Sequence, residues 1–315
     1  MKQAVLIVLF CFGVVLLLDS AQADEAGFGG MIIVGGVWEN TQRSQLDASD
    51  GNDRIDALAQ NEDRETDTVP HITGELTYTL ANRQTSLFLT TLVYDSGMAL
   101  GVRQDLGDWG QIEIAGTFES QEVWKDPYRM GVKRSRTDET TVGLSVEYEQ
   151  IAGTGFLFSS HIAGVEVDKD RIGSREERLR RDGHRYTLAT GYQFTLGDNV
   201  TVVPTLTYTG SELQGDANAS DGVALGIAYE WSNGSWSVEA AAAVGRTRYR
   251  ERHPVFNETR TATALDLSLI TGYYEPFGLA QISVYSLLAY GRVTENIDFF
   301  DSDAVCVGLG FGYHF

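Results

Sequence analysis

Residues 305–315 read Val305-Cys306-Val307-Gly308-Leu309-Gly310-Phe311-Gly312-Tyr313-His314-Phe315. The odd positions are aliphatic or aromatic. The even ones between Cys306 and His314 are all glycine. Successive side chains of a strand point to opposite faces, so a period of two marks a strand with one bulky apolar face and one small face. That division suits a wall with hydrocarbon on one side and water on the other.

The same pattern recurs upstream. Val223, Leu225, Ile227, Tyr229 and Trp231 alternate with Ala224, Gly226, Ala228 and Glu230. Val142, Leu144, Val146 and Tyr148 alternate with Gly143, Ser145, Glu147 and Glu149, and Leu265, Leu267 and Leu269 with Asp266 and Ser268. A soluble β-sandwich also alternates, but its strands rarely finish on paired aromatics such as Tyr192 with Phe194 or Tyr229 with Trp231. Strands are expected near 28–38, 71–80, 85–93, 98–106, 111–119, 139–150 and 154–167. A second set follows near 184–195, 200–211, 222–231, 235–249, 260–273, 279–292 and 303–315. Fourteen is even, as a single-chain barrel with both ends on one side of the membrane needs.

The connections alternate in length. Short ones at 82–84, 107–110, 151–153, 196–199, 232–234 and 275–278 carry turn-forming Gly, Asn or Asp and read as periplasmic turns. Longer polar ones at 39–70, 120–138, 168–183, 212–221, 250–259 and 293–302 read as extracellular loops, with one brief exception near Asp95 and Gly97. The expected fold is all-β: a closed antiparallel transmembrane β-barrel of about 14 strands.

The beginning of the chain agrees. Lys2, an apolar run from Ala4 to Leu18 and an Ala21-Gln22-Ala23 site have the form of a secretory signal. Residues 1–23 are therefore expected to be removed, leaving one domain over 24–315 with Cys306 as its single cysteine and no internal disulfide. A mean hydropathy of −0.16 with no long apolar run elsewhere argues against membrane helices. Only a closed barrel then satisfies every backbone polar group in lipid.

Projected inward by the alternation, Glu75, Arg103, Asp105, Glu113, Glu147, Glu149, Glu230, Glu239 and Asp266 line the lumen. Carboxylates dominate, and a ring of one sign concentrates its counter-ion. Hydrated or cross-strand-paired side chains would look the same in sequence. At the mouth, residues 39–70 carry nine acids against Arg43, Arg54 and Arg64, beside Glu295, Asp298 and Asp301 of the last loop. The third and fourth loops, expected on the opposite side, are basic: Lys125, Arg129, Lys133, Arg134 and Arg136, then Lys169, Arg171, Arg175, Arg178, Arg180 and Arg181. Charge runs mostly mark solvated faces. Loops folded inward would instead set a field across the mouth. Asp47, Asp50, Asp53 and Asp56 lack the spacing of a calcium loop.

Arg246, Arg248 and Arg250 continue the outward parity of Trp236, Val238, Ala240, Ala242 and Val244. That parity sets them at the head-group level of the outer leaflet, where guanidinium forks suit the phosphates of lipopolysaccharide. A bulge near Gly245 would turn them into the lumen. No nucleophile, base and orienting group stand in catalytic spacing, and the five histidines lie apart, so no enzyme is expected. No cofactor, metal ion or nucleic-acid partner is expected either.

The mature chain resembles Gram-negative outer-membrane barrels. Gly29-Gly30, Gly74-Glu75-Leu76-Thr77-Tyr78 and Asp126-Pro127-Tyr128 are similar to segments of a family of uncharacterised proteins of marine and enteric Gram-negative bacteria. That resemblance implies location and fold and names no substrate. It also implies that Phe311, Tyr313 and Phe315 form the terminal signal read by the barrel assembly machinery. The function expected is a passive, porin-like channel for small solutes. The rival expectation is a non-conducting surface barrel that binds a partner or lipopolysaccharide.

Overall fold

A computed structural model describes residues 26–59, 63–91 and 97–315. The expected signal segment, Cys11, Glu62 and Asp95 lie outside the described residues. The strands are β1 Gly27–Gln42, β2 Glu65–Thr79, β3 Thr85–Thr91, β4 Gly97–Asp105, β5 Gln111–Trp124, β6 Arg136–Glu149, β7 Phe156–Val167 and β8 Gly183–Tyr192. They continue as β9 Phe194–Thr195, β10 Val200–Leu213, β11 Ser220–Ser232, β12 Trp236–His253, β13 Glu258–Tyr274, β14 Ile282–Glu295 and β15 Ser302–His314.

Every neighbouring pair is antiparallel. β1 pairs with β2 on one side and β15 on the other, which closes the sheet and leaves it no edge. β8 and β9 bond β10 in one register (Gly191↔Thr205, Phe194↔Val202), so β9 is the lower end of the β8 stave and the barrel has fourteen staves. Among the described residues no helix is long and apolar enough to cross a membrane. The one α-helix, α1 (Arg171–Arg175), belongs to the loop after β7.

Side chains follow the alternation. Val223, Leu225 and Ile227 are exposed on the outer wall, whereas Ala224 between Val223 and Leu225 is buried. At the end with the short turns, aromatic pairs ring the outside: Phe28 with Tyr78, Phe156 with Tyr192, and Trp236 stacked on Tyr273 at 4.5 Å. A second exposed aromatic tier holds Trp38, Phe118 and Tyr208. From Phe28 to Trp38 the chain rises ten residues, about 33 Å along a strand. Tilted by about 40°, that spans the roughly 25 Å apolar band between aromatic girdles of outer-membrane barrels. The wall is that of a Gram-negative outer-membrane β-barrel.

The short turns are built from left-handed residues, among them Gly110, Gln150, Gly153, Gly234 and Glu275. Gly110 has φ of 99°, and a Cβ there would lie 2.1 Å from the Glu149 carbonyl oxygen, so the β4–β5 turn requires glycine.

Two expectations need correction. Strands run further at the extracellular end than the alternation suggested, so the first loop is 43–64 rather than 39–70, and the third is 125–135 rather than 120–138. Above the membrane the outer face meets water, and the apolar half of the pattern fades while ladder bonding continues. The first loop is also not a solvated tip on the far side from the third. Asp47 bridges to Val123 and Ile55 to Met130, so it crosses the mouth to the base and body of the third loop.

Candidate lumen and extracellular cap

Hydrogen-bond registry on β2 to β6 gathers the expected lumen residues. Arg103 on β4 donates from Nε to Glu113 on β5 at 2.9 Å and from a terminal nitrogen to Glu75 on β2 at 3.3 Å. Its guanidinium also lies over the Phe88 ring, 5.0 Å from the centroid. Glu147 stands directly opposite Glu113 in the ladder, and Glu149 opposite Gln111. One arginine thus serves a wall with Glu75, Glu113, Glu147 and Glu149. On the other side of the barrel Glu230 and Glu239 face each other across β11 and β12. Like charges directly opposite on neighbouring strands repel, so a cation between them is favoured.

The remaining two expected lumen residues differ. Asp105 closes the β4 turn, its carboxylate accepting from the Gly107 amide at 2.7 Å. Asp266 sits in the wall between Ala243 and Gly291, only 4% exposed, and its Oδ2 has no hydrogen-bond partner.

Two cavities occupy the interior. The lower one, about 660 Å³, is bounded by Glu230 and Glu239 together with Ile33, Val37, Ile270 and Leu287. The upper one, about 340 Å³, has Glu119, His161 and Arg185 in its wall and Leu46, Tyr128 and Phe300 among its roof residues. The lower chamber therefore combines a carboxylate pair with an aliphatic stripe, and the upper one lies beneath the loops.

That roof holds the largest buried apolar cluster. Ile55 of the first loop packs with Ile297, Phe299 and Phe300 of the last, flanked by Leu46, Leu58, Tyr128 and Phe256. Tyr128 stacks on Phe299 at 5.2 Å and shares a 2.9 Å hydrogen bond with His253 Nε2. Burial raises the Tyr128 phenol above its ordinary pKa, so it stays protonated. Beneath it, Arg260 binds Glu295 through two bonds of 2.8 and 2.6 Å, with both side chains buried and Phe300 stacked over the guanidinium.

The first and third loops are joined by Arg134. It is 3% exposed and donates to the Gln45 carbonyl (3.1 Å), the Gln45 side chain (2.9 Å), the Pro127 carbonyl (2.8 Å) and the Asn52 carbonyl. Its plane lies over Trp124, whose indole donates to Asn52 Oδ1 at 3.2 Å. Alongside, Arg136 reaches Asp50 and Glu122, and Lys133 holds Asp53 at 2.8 Å. The Lys133 hydrogen bond lowers the Asp53 pKa.

Acid and base at the mouth therefore meet in contact instead of facing one another across water. The fourth loop is likewise neutralised nearby: Arg175 by Asp126, Arg178 by Glu176, Arg180 by Asp182 and the buried Arg181 by Asp170. These short pairs stand where inward-folded loops of separated charge would have set a field across the mouth. Trp124, Asn52, Gln45, His253, Phe299, Phe300 and Arg260 were not anticipated, and Glu295 and Tyr128 had been named only as a mouth acid and as part of a family segment. The doublet Phe299-Phe300, set among acids in a loop, was the one available sign of a buried roof.

On the outside, Arg246, Arg248 and Arg250 are exposed in line with Val244, and the register Ala224↔Gly245 is unbroken. The irregularity falls between Arg248 and Arg252.

Solved structures with related architecture were found. A FadL homologue of Pseudomonas aeruginosa is 14% identical, with 94% of this chain and 92% of that one covered and a TM-score of 0.45. The COG4313 outer membrane channel of Pseudomonas putida F1 is 11% identical, covering 92% and 96% at 0.44. The anion-selective porin of Comamonas acidovorans is 9% identical, covering 92% and 100% at 0.41. No curated protein matches the sequence. The family model described as protein of unknown function (DUF2860) matches residues 27–314, and the chain belongs to that family.

Proposed function

We propose that this barrel is a passive outer-membrane channel for small solutes, with neutral and cationic ones favoured. The observation that carries the reading is the lower chamber: about 660 Å³, with Glu230 and Glu239 opposed in its wall. Charge of one sign along a low-dielectric passage raises the local concentration of the opposite ion. Fourteen staves fall between barrels filled by side chains and those with wide aqueous pores. The cap then narrows the extracellular entrance. Folded protein reconstituted in a planar bilayer is expected to give stepwise conductance with a reversal potential shifted toward the cation. Silence, from both the full chain and a form lacking the first loop, would sink the channel.

The rival, a non-conducting surface barrel, draws on the cap itself. The roof packs Ile55, Phe299 and Phe300 to 2% exposure or less, a density suited to a closed, rigid outer surface. The same bilayer measurement separates the two.

A further inference from the structure

We propose that the outer wall of β12 to β14, near the extracellular end, carries a binding site for the phosphates of lipopolysaccharide, built from Arg246, Arg248 and Arg292 around Thr263.

Height comes first. Arg246 lies ten residues above Trp236 of the lower girdle, about 33 Å along the strand and about 25 Å along the membrane normal at 40° tilt. In register it is level with Tyr208 of the upper aromatic tier, through Val223. Arg248 is one outward step higher. Arg292 on β14 is opposite Leu265, which is opposite Val244, so it lies one outward step below Arg246 in register. All three are exposed, and Thr263 stands directly opposite Arg246 on the intervening strand. Strands are about 4.8 Å apart, which puts β12 and β14 within about 10 Å and their long side chains within reach of one ligand.

Vacancy comes second. Among the described residues, Arg246, Arg248 and Arg292 enter no ion pair or side-chain hydrogen bond, and Arg292 is drawn to Asp301 of the last loop only at longer range. The acids that would neutralise them are already engaged. Asp221, opposite Arg248, is held by Arg250 (3.0 and 3.2 Å) and by the Tyr208 hydroxyl (2.7 Å), and Glu212 lies 3.7 Å from the same Arg250. Asp303, opposite Arg292, is held by Arg64 at 2.5 Å. Arg250 is thereby excluded from the site. Three guanidinium forks outside any ion pair and the Thr263 hydroxyl face the leaflet, and a guanidinium fork matches phosphate with two parallel bonds. The leaflet at the long-loop end of such a barrel is the one formed by lipopolysaccharide.

The test titrates folded, detergent-purified full chain with diphosphoryl lipid A in mixed micelles, with phosphatidylglycerol as a parallel arm. The variant R246Q/R248Q/R292Q should bind lipid A at least tenfold more weakly. Lysine at all three positions, which keeps charge and loses the fork, should recover part of the loss. Unchanged affinity in the glutamine variant overturns the site, as does phosphatidylglycerol binding as tightly as lipid A. If the triple variant does not fold, Thr263→Glu, which sets an anion among the three arginines, decides in its place: retained lipid A affinity overturns the proposal.

Discussion

At the scale of single residues, the cap depends on two buried guanidinium groups used differently. Arg134 bonds carbonyl groups of two loops and stacks on Trp124. Arg134→Met keeps an apolar stem of similar length and removes those donors, each bond to a charged group being worth about 1.5–3 kcal/mol, not additively. The barrel is expected to remain folded while residues 44–58 become open to limited proteolysis; a cleavage pattern like that of the parent would show the loop is held by something else. Arg260 instead answers one acid. Arg260→Met strands a buried Glu295 and is expected to cost about 3–5 kcal/mol, whereas Arg260→Met with Glu295→Met should recover most of it. Thermal unfolding in detergent measures both. Arg134 was foreseen only as a charge of the mouth and Arg260 not at all, because what buries them is contact between loops far apart in sequence.

At the scale of elements, the wall was readable and its upper ends were not. Alternation such as Val223 to Trp231 reports a boundary between lipid and water, and it is lost where both faces are wet. Thus Glu39 to Gln42 and Glu65 to Thr68 are strand in spite of their polarity, held by pairing of Trp38 to Thr41 with Glu65 to Thr68 and of Glu39 to Gln42 with Asp303 to Cys306. The short turns were placed well, because they depend on local glycine and asparagine chemistry. The first loop was misjudged for the converse reason: its charges suggest solvent, yet Leu46, Ile55 and Leu58 take it down onto Phe299 and Phe300. Replacing residues 46–58 by a short Gly-Ser link removes the apolar contacts that carry the loop across the mouth. Single-channel conductance should rise at least twofold without change in barrel unfolding temperature. An unaltered conductance would show that the entrance is limited by the lumen and not by the cap.

At the scale of the whole molecule, a net charge of −20 sets the sign of the far field, but the lumen decides what a permeant ion meets. There Glu113, Glu147, Glu149, Glu230 and Glu239 stand against Arg103, which is shared between Glu75 and Glu113. Selection by such a field acts at a distance, so it should weaken as salt shortens the screening length from about 30 Å at 0.01 M to about 3 Å at 1 M. The ratio of cation to anion permeability is expected to be largest in dilute salt and to approach that of free diffusion near 1 M. Glu230→Gln with Glu239→Gln should lower it several-fold in dilute salt and leave the 1 M value unchanged. If the ratio proves independent of ionic strength, a long-range field is not what selects, and the discriminating element must instead be a tight passage where the solute touches the wall.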